Sequence, residues 1–265
     1  MDKVYKKIIS PFCGKIRFQG IFWKLYLVSL EGMNIGRGAD FKDSGEIYVM
    51  EYVRKHLENL DNIIVFDVGA NNGDYSIWLS KIFGENAIIH SFEPSKYTFN
   101  KLKINTEGYD NICIHNIGIS NENSGAIIYS NLDGSGLASV YKRRMAHYKV
   151  DLNKEEYIEV KKIDTFCEEQ KIDRINFLKL DIEGHEFRAL EGASEMLKLG
   201  KIDFIQFEFG QCNIDSRFFF QDFYYLFKDS HIIYRILKNG LYQVKEYKET
   251  YELFRGTTNY LAVKK

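Results

Sequence analysis

The densest concentration of reactive side chains is the run Phe177-Leu178-Lys179-Leu180-Asp181-Ile182-Glu183-Gly184-His185-Glu186. Its first half is apolar and strand-like, and alternation along a strand puts Lys179 and Asp181 on one face. Glu183, His185 and Glu186 follow where the pattern turns helical. Charges packed this closely move one another's pKa values toward neutrality, where a general base is most effective. Asp181 and His185 are therefore candidates for a base or its orienting partner. Glu183 and Glu186 are candidates to hold an acceptor or a loop, and Lys179 to steady a carboxylate or an oxygen. A His-Glu pair alone at a helix start reads as a cap; the whole cluster reads as chemistry.

Three further acids stand at the ends of apolar runs. Asp67 ends Ile63-Ile64-Val65-Phe66 and precedes the turn Val68-Gly69-Ala70-Asn71-Asn72-Gly73-Asp74. A strand breaking into such a turn and re-entering as a helix makes a nucleotide-sized pocket at a sheet's carboxyl edge. Dinucleotide binders need G-x-G-x-x-G, and here the central glycine is replaced by Asn71. The pattern Gly69-x-x-x-Gly73 beside an acid suits a cationic cofactor without phosphate, for which S-adenosylmethionine is the candidate. Asp67 either attracts the cofactor's ammonium group or orders the turn. Glu93, in Ser91-Phe92-Glu93-Pro94-Ser95, lies 26 residues beyond Asp67, placed to accept both hydroxyls of a ribose. Asn116 and Gly118, in His115-Asn116-Ile117-Gly118, border the adenine or form an ordinary turn. Glu208 ends Phe204-Ile205-Gln206-Phe207 and should neighbour Asp181. Those two carboxylates would orient a hydroxyl or, alternatively, ligate a divalent cation.

The elements that must position these groups alternate. Strands are expected near residues 63–67, 87–92, 111–115, 175–180, 202–208, 231–237 and 259–264. Helices are expected near 73–83, 95–105, 164–170, 185–198 and 216–228. Such alternation predicts βαβ units and a mostly parallel sheet. An insertion at 116–162 carries strand-like pieces at Ala126–Ser130 and Tyr157–Lys162. Its Gly-rich middle, Asn131 to Ser139, is a loop placed to close over a cofactor. Residues 1–60 read as a helical extension packed on the core, with Ile47, Met50, Val53, Leu57 and Leu60 at helical spacing, and residues 61–265 as the catalytic domain.

With 36 basic and 37 acidic residues the formal charge is −1, so no polyanionic partner is signalled and nucleic acid is not expected. Cys13, Cys113, Cys167 and Cys212 form no C-x-x-C pair, which fits reduced thiols in the cytoplasm and excludes a Cys-ligated iron–sulfur centre. With only two prolines, Pro11 and Pro94, the N-P-P-[YF] signature of nucleobase amino methylation is absent. The apolar stretch Ile21 to Leu30 is too short to span a bilayer and contains Lys24. With Lys3, Lys6, Lys7, Lys15 and Arg17 upstream it suits peripheral contact with an anionic membrane, or a helix folded over the domain. Phe218, Phe219, Phe220, Phe223, Tyr224 and Tyr225 read as core at helical spacing, with sugar stacking as the alternative.

The motifs Asp67-Val68-Gly69-Ala70-Asn71-Asn72-Gly73, Phe92-Glu93-Pro94 and Leu178-Lys179-Leu180-Asp181-Ile182-Glu183-Gly184-His185-Glu186, in this order, resemble the FkbM family of S-adenosylmethionine-dependent methyltransferases. The resemblance runs from about Asn62 to Leu261. It implies a class I, Rossmann-like methyltransferase fold: a mostly parallel seven-stranded sheet, helices on both faces, the last strand antiparallel. It also implies cofactor contacts at Asp67, Gly69, Asn71, Gly73 and Glu93, and O-methylation of a hydroxyl on a sugar, glycan or related metabolite. Residues 1–60 would help set acceptor choice. The rival classes are a non-catalytic scaffold that keeps the pocket, which the dense acidic cluster disfavours, and an NAD-dependent oxidoreductase, which the missing glycine disfavours.

Overall fold

A computed structural model of the protein describes residues 3–38 and 43–265. Helices α1 (Lys3–Ile9), α2 (Ile16–Gly32) and α3 (Glu46–His56) precede the first strand. Strands and helices then alternate as β1 (Ile63–Val68), α4 (Asp74–Phe83), β2 (Ala87–Phe92), α5 (Lys96–Asn105) and β3 (Ile112–His115). The insertion supplies β4 (Gly118–Ile119), β5 (Ser124–Ser130) and β6 (Lys154–Lys161). There follow α6 (Ile163–Gln170), β7 (Ile175–Leu180), α7 (Glu186–Glu191), α8 (Ser194–Lys198), β8 (Ile202–Gly210), α9 (Asn213–Ser216) and α10 (Phe220–Phe227). Strands β9 (His231–Leu237), β10 (Gly240–Gln243) and β11 (Thr257–Lys264) complete the order.

The main sheet has the order β10-β9-β11-β8-β7-β1-β2-β3. Strands β3, β2, β1, β7 and β8 run parallel, and β11 lies antiparallel between β8 and β9. This is the class I methyltransferase arrangement, with strand order reversing beside β1 so that a crevice opens at the carboxyl edge. The sheet has eight strands rather than seven. The additional one, β10, returns antiparallel to β9 through the two residues Lys238 and Asn239, with Leu237 opposite Gly240. Neither Lys238 nor Asn239 adopts a positive φ, and β10 is only four residues long and half exposed, so no strong local signal marks this hairpin. The helix expected at 185–198 is divided at Gly192-Ala193, and the one expected at 216–228 begins only at Phe220, behind the short α9. Arg217 adopts a left-handed φ of 66°, which ends α9.

Helices cover both faces. One face packs Phe66, Leu178, Ile205 and Phe207 beneath Ile163, Phe166, Leu190, Phe220, Phe223 and Phe227 of α6, α7 and α10. The aromatic run is thus core: Phe220, Phe223 and Phe227 are fully buried, and the Phe223 ring stacks on Phe207 at 4.7 Å. The other face packs Ile63, Val65, Phe177 and Phe204 beneath Val49, Met50 and Val53 of α3 and Leu79 and Phe83 of α4. Alternation continues that second face upward from Val65 to Asp67, from Phe177 to Lys179, and from Phe204 to Gln206 and Glu208. A polar band therefore crowns an otherwise apolar face at the carboxyl edge, and α3 caps it.

Strands β4, β6 and β5 form a separate three-stranded sheet with a small core of Ile128, Ile158 and Val160. Helix α2 differs from α3, because Leu30 is its one buried side chain. Among the described residues no helix is long and apolar enough to cross a membrane.

Candidate functional site

The turn after β1 is built by close backbone approach. Gly69 has φ +84°, and a Cβ there would stand 1.9 Å from the Asp181 carbonyl oxygen. Gly69 and Ala70 N–H groups donate to the Phe92 carbonyl at 3.0 and 2.9 Å, and the Asp181 N–H donates to the Val68 carbonyl at 3.1 Å. The turn, the end of β2 and the end of β7 are thereby locked together. Gly73, at φ +93°, opens α4 where a Cβ would meet Leu102 at 2.7 Å. Its role is packing against α5; it lies outside the cleft lining.

Above this turn lies a cleft of about 120 Å³, open to solvent at its mouth. Gly69, Asn71, Glu93 and Gly118 line one side, with Asp181, Glu183 and His185 on the other. Ile119, Ile128, Ile158 and Val160 of the small sheet give it an apolar wall, and Ser135 to Val140 roof it. The loop expected to cover a cofactor thus borders the cleft. The apolar wall escaped the sequence reading, since short alternating strands carry no sign of what they face.

Glu93 is nearly buried, and its two carboxylate oxygens accept hydrogen bonds from the backbone N–H groups of Ser95 at 2.9 Å and Asn71 at 3.1 Å. Each oxygen keeps a further lone pair for a ligand hydroxyl. Burial pushes the Glu93 carboxyl up to about 7. Asn116 is turned away from the cleft: its Nδ2 donates to the Glu93 and Pro94 carbonyls, both at 2.9 Å, so it fixes the loop that carries Glu93.

Asp67 is fully buried beneath the cleft. Its Oδ2 accepts from the Ser76 hydroxyl at 2.6 Å, and its Oδ1 lies 3.4 Å from Lys179 Nζ. Lys179 is 3% exposed, sits 3.1 Å from Asp181 Oδ2, and lies over the Tyr75 ring at 4.5 Å. Burial alone would lower its pKa, but Asp181, Asp67 and Glu46 outweigh burial and hold it above the usual lysine value. The network extends further: Tyr75 donates to Gln206 Oε1 at 2.9 Å, and Gln206 Nε2 donates to Glu46 Oε1 at 2.9 Å. Glu46, Tyr75, Ser76 and Gln206 were not singled out from sequence; each sits in an amphipathic or apolar stretch where one polar residue is unremarked. Burial also raises Glu46, to about 7. Glu208 is raised well above the carboxylate range by burial and by Asp181, Glu183, Glu186 and Glu46 around it. Among the described residues no group of three or more His, Cys, Asp and Glu side chains is arranged to hold a metal ion, so Asp181 and Glu208 find no third ligand of that kind.

Glu183 and His185 do different work from Asp181. Arg143, nearly buried, pairs with the Glu183 carboxylate, and Cys212 Sγ donates to it at 2.9 Å. Ser139 Oγ donates to the Glu183 carbonyl at 2.9 Å. His185 Nδ1 is 3.0 Å from the Tyr141 hydroxyl and Nε2 is 3.0 Å from the Ser120 hydroxyl. Both ring nitrogens are therefore engaged, and the imidazole fastens the roof to the β7–α7 turn. Glu186 Oε1 accepts from the N–H groups of Ile182 at 3.0 Å and Gly184 at 3.1 Å, which shapes the same turn.

Burial lowers His185 to about 4, against an unfolded value near 6.5. Between those values the unfolded chain binds the proton and the folded one does not, so this contribution is complete above pH 6.5 and lost as pH falls toward 4. Glu46, Glu93 and Glu186, all raised to about 7 by burial, act in the opposite direction between about pH 4.5 and 7. Comparison with His185→Gln isolates the histidine. In urea unfolding followed from pH 7 to pH 4.5, wild type should lose about 1–2 kcal/mol relative to the variant. Parallel profiles would show that His185 is not held neutral.

Residues 67–244 match the Methyltransferase FkbM domain, the greater part of the chain. The chain belongs to the FkbM methyltransferase family. The match spans both walls of the cleft, from Asp67 through Glu93 to the Asp181 run. A curated relative, "Methyltransferase 1" of Beauveria bassiana (strain ARSEF 2860), is 24% identical over 150 residues. That similarity covers 51% of this chain and 60% of the relative's own length. Among solved structures, a METTL16 methyltransferase domain is similar at a TM-score of 0.45 and 12% identity, covering 83% of this chain and 66% of that one. The precorrin-6y C5,15-methyltransferase of Geobacter metallireducens GS-15 gives 0.41 and 10%, covering 82% of this chain and 88% of that one. Glu46 and the strand β11 lie outside the FkbM match, yet both adjoin the polar band.

Proposed function

We propose that this FkbM-family chain transfers a methyl group from S-adenosylmethionine to a hydroxyl oxygen of a sugar, glycan or related metabolite. The observation that carries this reading is the single cleft with Glu93 on one wall and Asp181 on the other. The residues fit the cofactor. Glu93 offers two free acceptor positions at ribose-binding spacing, the small sheet offers an apolar surface for a purine, and the Gly69 turn leaves room for close approach. S-adenosylmethionine supplies an activated sulfonium methyl, so the protein must provide alignment and remove one proton.

Asp181 takes that role in the proposal. Its carboxylate lines the cleft, is about a third exposed, and is steadied by Lys179 at 3.1 Å. It is placed to accept the proton of a hydroxyl bound in the cleft. Arg143, Tyr141 and His185 tie the roof segment to the β7–α7 turn.

Calorimetric titration of S-adenosylmethionine into wild type and Glu93→Gln is the first test. The amide replaces one acceptor by a donor that faces a backbone N–H, so affinity should fall on the order of 10- to 100-fold. Labelled methyl transfer to a panel of sugars then separates acceptors. Folded wild type that binds no cofactor, or a variant that binds equally well, would overturn the assignment.

A further inference from the structure

Helix α2 has the wrong surface for water. Ile16, Ile21, Trp23, Leu25, Tyr26 and Val28 are all exposed, Trp23 at 61% and Val28 at 67%. On a helical projection its charged residues, Arg17, Lys24 and Glu31, recur every seven positions and form one narrow stripe. The rest of the circumference is largely apolar, the reverse of a solvated helix, and such a helix requires apolar surroundings. At 17 residues it is roughly 25 Å long, short of the ~30 Å needed to span hydrocarbon.

We propose that α2 docks in the plane of an anionic lipid surface, its apolar side chains seated among the headgroups. Charge selects this occupant. Residues 1–32, to the end of α2, contain Lys3, Lys6, Lys7, Lys15, Arg17 and Lys24 against Asp2 and Glu31, a net of +4 in a chain whose total is −1. A second copy would bring the same positive charge to the contact, whereas anionic headgroups neutralise it. Trp23 and Tyr26, ring centroids 5.5 Å apart, are the aromatic types that settle at a membrane interface.

Among the described residues, the hydrogen bonds that tie this segment to the domain lie in the second half of the helix and just beyond it. Arg255 donates to the Leu27 carbonyl at 3.1 Å, and Gly36 N–H donates to Thr258 Oγ1 at 2.8 Å. Thr258, the second residue of β11, pairs with Phe209 near the carboxyl end of β8, at the carboxyl edge that carries the cleft. Docking through α2 therefore brings that edge toward the lipid.

Co-sedimentation of the full chain with phosphatidylcholine vesicles, with and without phosphatidylglycerol, tests the proposal independently of catalysis. Binding should require phosphatidylglycerol and weaken with added salt. The double substitution Trp23→Glu with Val28→Glu should lower binding by at least about tenfold, with circular dichroism and thermal midpoint unchanged. Folded wild type that stays in the supernatant at low salt, or equal binding by the variant, would overturn it. So would a dimer in sedimentation velocity, without vesicles, that the same variant dissolves; that outcome assigns the face to a second copy.

Discussion

Lys179→Met is expected to lower the stability of the protein by about 3–5 kcal/mol. Methionine fills nearly the same volume, so packing changes little. What changes is charge. Asp67 is fully buried and Lys179 is its only cationic partner among the described residues, with Ser76 the remaining support. Removing one member of a buried pair leaves the other uncompensated in a medium that solvates charge poorly. The effect reads as a lower urea midpoint at unchanged slope. Adding Asp67→Asn should recover a large part of the loss, because the stranded charge is gone. A single substitution costing less than about 1 kcal/mol, the level of an exposed pair, would show that Asp67 and Lys179 are not coupled in this way.

The second large effect is on turnover. Asp181→Asn keeps the shape of the side chain and leaves Lys179 its contact with Asp67, so the fold should stand. The amide cannot accept the acceptor hydroxyl's proton. Methyl transfer should fall on the order of 10²- to 10³-fold, with cofactor affinity nearly unchanged because Glu93 holds the opposite wall. The combination matters: lost affinity would indicate a cofactor-binding role instead. Full turnover in the variant would mean that alignment suffices and that water takes the proton.

The elements that hold these residues were legible in the sequence because each is a strong local signal. Apolar runs at Ile63, Ala87, Ile175 and Ile202 ended in acids or turns, and they form β1, β2, β7 and β8 close to the expected bounds. Cleft-lining Gly69, Asn71, Glu93, Gly118, Asp181, Glu183 and His185 were named in advance, since a motif at a strand end faces the same edge whatever lies between. Partnership was not legible. Nothing local distinguishes Asp67, turned under the sheet, from Asp181, facing the cleft; the difference is that Asp181 lies one residue past the end of β7, two beyond Lys179, the register partner of Asp67. His185 read as a base because its neighbours are acids, yet Ser120 and Tyr141, 65 and 44 residues away, occupy it. The Glu46–Gln206 contact spans 160 residues, and no window of sequence contains both ends.

Sheet order also governs how the molecule is made. Strand β11 is the last of the sheet's strands to leave the ribosome, yet it is interior, pairing with β8 on one side and β9 on the other. Until it arrives, β9 and β10 have no seat on the sheet, and the β8 edge is exposed. Vectorial synthesis therefore builds most of the parallel half first and leaves a gap that only the final strand closes. Asn259 arrives beside Glu208 in that same step. The nascent chain thus has its Gly69 turn long before the polar band is complete, and the band closes only when β11 takes its place between β8 and β9.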